Sequence, residues 1–567
     1  MKQILKGTLF VLTSLLLLPL TASADAVEID GIWYNLVGKA KSAEVTRDPS
    51  KTIYEACYSG DIVIPSKVTY ESIEYDVTVI GNSAFENSTE LTSVTIPNSV
   101  TRLANYAFES CSGLEYVNIP NSITSIGESA FYGCSSLTSI TIPNSVITIG
   151  NTAFQGCTGL TSFIIPNNVT TIGWGLFWEC SGLTSITLNN NITIIPLDMF
   201  AGCTSLKSFT IPDGVTSIGG AAFAACSSLS SITIPNSVTE ILSTSFYNCN
   251  ALTSVTLSNN LTQIGEFAFG YCTNMTSINI PNSVTTIGNI AFEGCSKLTT
   301  VMIGSGIQEI KSNSFLNCGE LTDVYCFAED IPTTDDDAFE NSYVNYATLH
   351  VPTSAISAYS ASAPWSGFGT ITAITSEDIT IGDLGIGTFC GSNPIDFTGI
   401  EDIKAYVVSS YEKASGQVTL TRTYYVPPFT GVVVKGNKGV YTIPAGVGQP
   451  VYPNMMKGVT TNTALNKVSG DYTNYVLANK GGNLGFYAIT NGTTLAAGKA
   501  YLPLPTADLP SAAREFTLIF DDGETTEIMK VASQEKASQG YYDLQGRRVA
   551  NPTSGLYIVN GKKVIIK

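Results

Sequence analysis

Residues 126–148 read IGESAFYGCSSLTSITIPNSVIT, and the next 23 residues, 149–171, read IGNTAFQGCTGLTSFIIPNNVTT. A fixed period of this length predicts a solenoid, because so short a unit cannot bury its own apolar face and has to stack on its neighbours. The period holds without a slip over a long stretch of the chain. It places phenylalanine at Phe85, Phe108, Phe131, Phe154, Phe177, Phe200, Phe223, Phe246, Phe269, Phe292 and Phe315.

Each unit contains the pattern Leu-x-x-Ile-x-Ile, whose final residues alternate between apolar and polar. This alternation predicts a short strand that turns its apolar side chains inward. A Pro-Asn step such as Pro143-Asn144 follows and predicts a turn, because proline cannot donate to a sheet ladder. Phe131 and Cys134 lie three residues apart, so we expect a single helical or 3₁₀ turn to close the unit.

With these positions the chain resembles the BspA-like, Treponema-type class of leucine-rich repeats, whose unit reads I-G-x-x-A-F-x-x-C-x-x-L-x-x-I-x-I-P. The resemblance covers residues 79–326 and implies a solenoid of ~11 repeats. It also implies a target class, since BspA-like proteins are associated with adhesion to host extracellular matrix proteins and to other cells. The departures from the unit are Ser88 for Cys, Met275 for Leu, Cys326 for a strand Ile, and Asn189, Ser258 and Gly304 for Pro.

The charge of the chain excludes one class of partner. The formal net charge is −18 over 567 residues. A nucleic-acid-binding protein needs a basic surface to meet the phosphate backbone, so we expect no nucleic acid partner. Thr, Ser and Asn take the place of charged residues in the repeats, which predicts a neutral, hydroxyl-rich exterior.

The first 24 residues have the pattern of a secretory signal peptide. Lys2 and Lys6 precede an apolar run from Leu9 to Leu20, and Ala22-Ser23-Ala24 supplies a cleavage pattern. A membrane anchor is the alternative, but the run is short and ends in that cleavage pattern. No later stretch approaches the roughly 20 apolar residues of a membrane-spanning helix. We therefore expect export, removal of residues 1–24, no membrane insertion afterwards, and a secreted or outer-surface location.

The rest of the chain divides by pattern. Residues 25–78 do not repeat and are expected to cap the open N-terminal end of the solenoid, since an uncovered repeat exposes apolar surface. Residues 327–375 hold a degenerate copy and are expected to be the C-terminal cap. Residues 376–525 show short strand patterns between turn residues, which predicts an all-β, sandwich-like domain.

Residues 526–567 are expected to be a linker followed by a short β segment. Asn560-Gly561 between alternating apolar positions predicts a hairpin. The segment resembles the end of the C-terminal sorting segments of exported Bacteroidetes proteins, which implies a secretion or sorting machinery as a partner. A plain terminal hairpin is the alternative.

Thirteen cysteines in an exported chain raise the question of disulfides. Ten share one repeat position and should form a column, in which identically oriented side chains are poorly aimed at each other. We expect buried thiols rather than disulfides, and no metal, because a spacing of 23 gives no Cys-x-x-Cys pair. The ten are Cys111, Cys134, Cys157, Cys180, Cys203, Cys226, Cys249, Cys272, Cys295 and Cys318.

Residues with catalytic potential are scarce. His350 is the only histidine, and it lies between Leu349 and Val351 in a predicted cap strand, so we expect a structural role. Asp335-Asp336-Asp337 lacks the spaced ligands of a calcium loop and is expected to be solvated. Neither a phosphate-binding loop nor a dinucleotide fingerprint occurs. The sequence thus predicts no catalytic residue, no metal, no cofactor and no enzyme.

The remaining candidates for function are exposed residues on the surface of the repeats. The outward positions of the repeat strands carry hydroxyls that suit many weak hydrogen bonds to an extended ligand, although such residues are also ordinary soluble strand formers. Two tryptophans break the repeat pattern and are either binding anchors or local packing residues. The predicted ligand-binding residues are Thr138, Ser139, Thr141, Thr184, Ser185, Thr187, Trp174 and Trp178.

These observations predict a secreted or cell-surface, non-enzymatic binding or adhesion protein. Its repeat array would bind extracellular protein or glycan ligands of the host matrix or of other cells. One alternative is a carbohydrate-binding accessory protein that acts through residues 376–525 and uses the repeats as a spacer. Another is a structural exoprotein whose array only separates domains.

Overall fold

The computed structural model describes residues 26–52, 54–412, 415–451, 453–480, 483–509 and 515–522, together with four short strands beyond residue 540. The predicted signal peptide, 1–24, and residues 523–540 of the predicted linker lie outside the described residues. The repeats stack into a solenoid followed by a sheet-rich region, which confirms the predicted fold class.

The Leu-x-x-Ile-x-Ile segments form parallel strands that pair with their equivalents one repeat along, as in Ile278 opposite Val301. We name these strands the front sheet. Their leucine and isoleucine side chains point into the core, where Leu137 is fully buried. The front strands are Ser59–Val63, Glu90–Thr95, Tyr116–Val117, Ser162–Ile164, Ser185–Thr187, Ser231–Thr233, Ser254–Thr256, Ser277–Ile280, Thr300–Ile303, Asp323–Cys326, Thr348–Val351 and Thr370–Ala373.

A second parallel sheet, which the sequence did not predict, forms where each unit begins. We name it the back sheet. The Ile-Gly pair explains it: Gly150 N–H donates to the Ile126 carbonyl at 2.9 Å, and a Cβ at Gly150 would stand 2.5 Å from Glu128 N. The back strands are Arg102–Leu103, Ser125–Ile126, Thr148–Ile149, Thr171–Ile172, Ile194–Ile195, Ser217–Ile218, Glu240–Ile241, Gln263–Ile264, Thr286–Ile287, Glu309–Ile310 and Thr333–Thr334.

The back sheet is interrupted once, between Thr171–Ile172 and Ile194–Ile195. Pro196 occupies the glycine position there and has no N–H to donate to the Ile172 carbonyl. The front strands also stop nearby, since none forms between Ser185–Thr187 and Ser231–Thr233 in this described stretch. Both sheets are therefore discontinuous at the same part of the solenoid.

The helical or 3₁₀ turn expected in each repeat is replaced by a non-helical turn. Two residues of each turn adopt the left-handed conformation, for example Ser129 with φ 49° and Gly133 with φ 70°, and a helix cannot contain them. Adjacent turns bond to each other instead, as Phe131 N–H does to the Ala153 carbonyl at 2.8 Å. We name the outer side of residues 82–87, and of their equivalents every 23 residues to 312–317, the turn face.

The phenylalanines stack face to face through the solenoid, with ring centroids 4.9 to 6.1 Å apart. The widest gaps, 6.1 and 6.0 Å, flank Phe177. Tyr58 covers the first ring at 4.7 Å, and Trp365 meets Phe339 edge to face at the other end. The column therefore has an aromatic lid at each end.

The ten repeat cysteines are buried, unpaired thiols, as the sequence predicts. Each Sγ donates to the phenylalanine carbonyl of the preceding repeat; Cys134 Sγ lies 3.2 Å from the Phe108 oxygen. Burial raises the pKa of every one of these thiols, that of Cys111 to about 12. Ser88 and Ser342 continue the column at its two ends, and both are buried and hydrogen-bonded.

The predicted caps contain additional elements. Before the repeats, the described part of this cap extends both sheets, with Ser59–Val63 on the front and Ile73–Ile80 and its partners on the back. In the C-terminal cap, Tyr359 and Trp365 are fully buried on short helices. The N-terminal strands are Val27–Ile29, Ile32–Val37, Ser42–Thr46, Lys67–Tyr70 and Ile73–Ile80, the α-helix is Ile356–Ala361, and the 3₁₀ helices are Val344–Tyr346, Thr353–Ala355 and Trp365–Gly367.

Where the structure describes the region after residue 376, it is all-β apart from the 3₁₀ helix Thr506–Asp508, as predicted. Its largest sheet has ten strands and carries two separate apolar clusters, one around Tyr475 and one around Phe397. We name residues 376–522 the β domain. Its strands are Glu377–Ile381, Ile386–Phe389, Ile395–Asp396, Ile403–Glu412, Gln417–Thr423, Tyr425–Val426, Val432–Gly436, Gly439–Ile443, Lys457–Val459, Thr463–Leu465, Val468–Ser469, Tyr472–Lys480, Asn483–Ala488, Thr493–Leu495, Lys499–Pro505 and Glu515–Phe520.

At the C-terminus, Tyr541–Tyr542, Arg548–Val549, Gly555–Val559 and Lys562–Ile566 form one antiparallel sheet. Val559 pairs with Lys562, which is the register of a two-residue hairpin. The turn residues Asn560 and Gly561 themselves lie outside the described residues.

Candidate binding surfaces

The front sheet turns three residues of each repeat outward, and they are mostly Thr and Ser. All six hydroxyl residues singled out from the sequence are exposed on this side of the solenoid, although only Ser185 and Thr187 lie within a strand; the other four are Thr138, Ser139, Thr141 and Thr184. The hydroxyls are not equivalent, because Thr184 Oγ1 already donates to the Thr161 carbonyl at 3.0 Å. Ser185 and Thr187 follow it, at the two ends of strand Ser185–Thr187.

The front sheet is open over its first part and covered over its last part. Thr141, Thr187 and Thr233 occupy one outward column and are exposed. In the same column further on, Asn279, Met302 and Tyr325 are only 4%, 1% and 0% exposed. The open surface therefore ends between Thr233 and Asn279.

The β domain is what covers the end of the sheet. Tyr425 joins Met302 and Tyr325 in a small apolar cluster, and its hydroxyl lies 2.6 Å from Met302 Sδ. Tyr325 in turn donates its hydroxyl to the Ser392 carbonyl at 2.8 Å. Burial raises the pKa of Tyr325. The contact combines apolar packing with satisfied polar groups.

A glutamine from the β domain is inserted into the ladder of the front sheet. Elsewhere the backbone bonds directly across this step, as Ile234 N–H does to the Thr256 carbonyl at 2.8 Å. One repeat later, Gln449 Oε1 accepts from Leu257 N–H at 2.9 Å, and Gln449 Nε2 donates to the Asn279 carbonyl at 3.1 Å. The amide thus bridges two repeats and fixes where the covered part begins.

Where the open part meets the β domain, the surface forms a groove of about 800 Å³. Four hydroxyl side chains, Ser208, Thr210, Ser231 and Thr233, line it on the sheet side, and Gln449 borders it on the other. The groove thus combines these hydroxyls with apolar side chains such as Phe209 and with one carboxylate, that of Asp213.

Trp174 and Trp178 lie on the turn face, away from the outward side of the front sheet. Trp174 is 40% exposed and Trp178 is half-buried. Leu197, the equivalent of Trp174 one repeat later, is also 49% exposed. The structure therefore does not bring the eight predicted residues together, but divides them between two surfaces.

Two features were missed from the sequence. The change from Thr to Asn279, Met302 and Tyr325 in an outward column marks the covered part of the sheet, and it is readable once the columns are aligned. A second group of aromatics, Tyr247, Phe267 and Tyr271, lies on the turn face at positions where most repeats have small or polar residues.

The histidine and the aspartates have ordinary surroundings. His350 stacks on Tyr325 with centroids 4.0 Å apart, and its Nε2 lies 2.9 Å from Asp323 Oδ1. Asp337 accepts a hydrogen bond from Ser312 at 2.8 Å. Among the described residues, no group of three or more His, Cys, Asp or Glu side chains is placed to hold a metal ion.

The family model for the BspA type leucine rich repeat region matches six copies in this chain, over residues 51–146, 124–253 and 239–362. Together these stretches span more than half of the sequence. The chain belongs to the BspA-type leucine-rich repeat family. The resemblance read from the 23-residue unit is thereby confirmed, and the match extends into residues assigned above to both caps.

Several solved structures are similar to this BspA-type chain. A leucine rich cell surface protein from Faecalibacterium prausnitzii is 29% identical over 53% of this chain and 95% of its own, with a TM-score of 0.37. A leucine-rich repeat protein from Bacteroides ovatus is 26% identical over 57% and 99%, with a TM-score of 0.33. One from T. pallidum is 28% identical over 36% and 90%, with a TM-score of 0.31.

No curated protein matches the chain. In the part of the chain that the structure describes, no helix is both long and apolar enough to cross a bilayer.

Proposed function

We propose that this BspA-type protein is an extracellular, non-enzymatic binding protein. The open part of its front sheet recognises a protein or glycan ligand of the host matrix or of another cell. The observation that carries the proposal is the contrast along the outward column, which is exposed from Thr141 to Thr233 and buried from Asn279 to Tyr325. A long, hydroxyl-rich surface with few charged side chains, Lys207 among them, supports binding through many weak contacts.

The position of the β domain bears on the alternative in which the repeats are only a spacer. A spacer would hold the β domain away from the array, whereas Tyr425 and Gln449 attach it to the front sheet. The attachment supports a single binding unit in which the β domain limits the length of the open surface.

The test uses the whole secreted chain with fibronectin, fibrinogen and a panel of neutral glycans. Replacing Ser185 and Thr187 by glutamine lengthens two exposed side chains on the open sheet. Whichever ligand binds the unmodified chain should then bind at least fivefold more weakly. Thr216→Gln, an exposed change beside the back sheet, is the matched control and should leave the affinity unchanged.

A β-domain variant distinguishes the carbohydrate-binding alternative. Tyr424 and Tyr472 are 52% and 48% exposed, and their replacement by alanine removes two aromatic contacts from that domain alone. Loss of glycan binding in this variant, with the Ser185/Thr187 variant unaffected, would transfer the function to the β domain. Absence of any binding by the whole chain would contradict the proposal and favour a purely structural role.

A further inference from the structure

The turn face differs in charge from both sheets. The outward positions of each six-residue turn are its first, second, fifth and sixth residues, because the Ala and Phe between them are buried. Throughout the described stretch 82–317 these positions contain carboxylates and no Lys or Arg. Arg47 of the N-terminal cap reaches only the first of them, at 3.8 Å. The carboxylates are Glu86, Glu109, Glu128, Glu179, Asp198, Glu266 and Glu293.

Three aromatic side chains form a cluster within this acidic surface. The Tyr247 ring meets the Phe267 ring edge to face at 5.9 Å and the Tyr271 ring at 5.7 Å. Tyr271 is 37% exposed, and the other two are half-buried. None belongs to the phenylalanine column, so the core does not require them.

The backbone is strained where it holds two of these rings. Phe267 and Tyr271 have φ of 54° and 58°, a left-handed conformation that is costly for bulky residues. The same two turn positions are left-handed in the other repeats too, where they hold residues such as Glu179, Ala225 and Ile290. The conformation is therefore a property of the turn and not of the aromatic residues.

Two glycines leave room for the cluster, Gly270 in the same turn and Gly294 in the next repeat. A Cβ at Gly294 would stand 2.8 Å from the Tyr271 ring, and one at Gly270 would stand 3.1 Å from the Phe267 ring. The Tyr271 hydroxyl donates to Glu293 Oε1 at 2.9 Å, which fixes a carboxylate beside the rings and raises the pKa of Tyr271. Tyr106 makes the same kind of pair with Glu128, one repeat along from it.

We propose that Tyr247, Phe267, Tyr271 and Glu293 form a docking site for a basic polypeptide. An arginine or lysine side chain of the partner packs against the rings while its charge meets the carboxylate. The other carboxylates of the turn face attract the surrounding basic residues of the same segment. A neutral glycan would satisfy the rings but leave this charge unmatched, so the observations favour the basic polypeptide.

The site is separate from the open front sheet, and the two proposals fail independently. The Ser185/Thr187 glutamine variant should bind a basic peptide as tightly as the unmodified chain does. Conversely, a chain that lacks the Tyr271 ring should keep the affinity of the front sheet for its own ligand.

The experiment measures binding of a labelled 12-residue peptide of alternating arginine and serine to the whole chain by fluorescence anisotropy. Tyr271→Gly removes one ring and relieves the left-handed strain, so it should fold at least as stably and bind about tenfold more weakly. Asn248→Gly is the matched control, since Asn248 has φ 61° in the same turn position one repeat earlier. It should leave the affinity unchanged.

Glu293→Gln provides a second variant that keeps a hydrogen-bond acceptor for Tyr271. It should weaken binding of the peptide severalfold and reduce the salt dependence of that binding. Equal affinity for all variants would overturn the proposal, because the peptide would then be reporting only the overall charge of −18. A neutral oligosaccharide that binds and is lost with Tyr271→Gly, while the peptide is not, would also overturn it.

Discussion

The repeat array and the β domain are both built from short strands, but they close their cores over different distances along the chain. In the array a residue pairs with its equivalent 23 positions away, as Ile232 does with Val255. In the β domain Val418 pairs with Leu518 across most of the domain. Each repeat therefore packs in the same way against its neighbours, whereas every strand of the β domain has its own set of packing partners.

The two regions also differ in what their core contains. The array buries columns of identical side chains, including ten thiols, and the β domain has a single buried cysteine, Cys390. Identical residues in a column titrate or weaken together. The contribution of one thiol to the pH dependence of stability is small, but ten such contributions add up in the array. The β domain has only one buried thiol, so its stability should depend little on thiol ionisation.

The largest expected effect is the response of the array to alkaline pH. Burial raises the pKa of each column thiol, to about 12 for Cys111, whereas an unfolded thiol loses its proton at about pH 8.5. Above that pH the unfolded chain binds fewer protons, so the free energy of unfolding falls by about 1.4 kcal/mol per thiol and pH unit. The stabilisation is complete below about pH 8.5 and is lost as the pH rises toward 12.

Denaturant unfolding of the array, followed by circular dichroism with reductant at pH 8, 9 and 10, measures this slope. Cys226→Ser removes one titrating group, and the buried Ser88 and Ser342 show that serine fits the column. The slope of the free energy of unfolding against pH should therefore be smaller by the contribution of one thiol. Titration of the denatured chain without reductant should give thirteen thiols. A value near three, or a stability independent of pH, would contradict the account.

The next largest effect is a break in the phenylalanine column. Phe223 stacks on Phe200 and on Phe246, each at 5.2 Å, and is fully buried. Phe223→Ala should lower the free energy of unfolding of the array by about 3–5 kcal/mol, because it removes a ring and leaves a cavity. The measurement is denaturant unfolding, with hydrogen exchange to separate the two regions.

Ala224→Gly, a change at the half-buried position next to Phe223, is the control and should cost less than about 1 kcal/mol. The hydrogen exchange of the β domain should be unchanged in both variants. If the β domain lost protection as readily as the array, the two cores would not be the separate units described above.

The smallest of the three effects concerns the contact between the regions. Tyr425→Ala removes the ring that packs on Met302 and Tyr325 and should weaken docking of the β domain by about 2–4 kcal/mol. Strand Thr300–Ile303 should then exchange its amide hydrogens faster. Tyr424→Ala, next in sequence but 52% exposed, should change neither stability nor exchange by a measurable amount. Unchanged exchange with alanine at Tyr425 would show that the hydrogen bonds of Gln449 and of Tyr325 to Ser392 hold the contact without this ring.

The array was predictable because one rule recurs in every copy. The Phe, Leu and Cys columns are buried as their spacing indicates, and the front strands follow from alternation. The back sheet was not predicted, since two residues of Thr-Ile are too few to show a period; it follows from close backbone approach at Gly150, which only coordinates reveal. The expected helical turn failed because Ser129 and other non-glycine residues adopt left-handed conformations.

The candidate surfaces were harder to predict for a different reason. The sequence identifies Thr141 and Thr187 as outward, but their exposure depends on where the β domain sits, and Tyr425 lies 123 residues from its partner Met302. Likewise, the Tyr247 ring comes from one repeat and the Phe267 and Tyr271 rings from the next. Contacts between distant segments carry no local pattern.

The interruption beside Pro196 has a mechanical consequence. At that point both sheets lack ladder bonds and the Phe177 and Phe200 rings are 6.0 Å apart, so two blocks are joined there only by the turn hydrogen bonds and the packed core. If the molecule is pulled from its two ends, as a tether in flowing liquid would be, this seam yields first. The N-terminal block would then extend the reach of the protein while the C-terminal block stays clamped to the β domain.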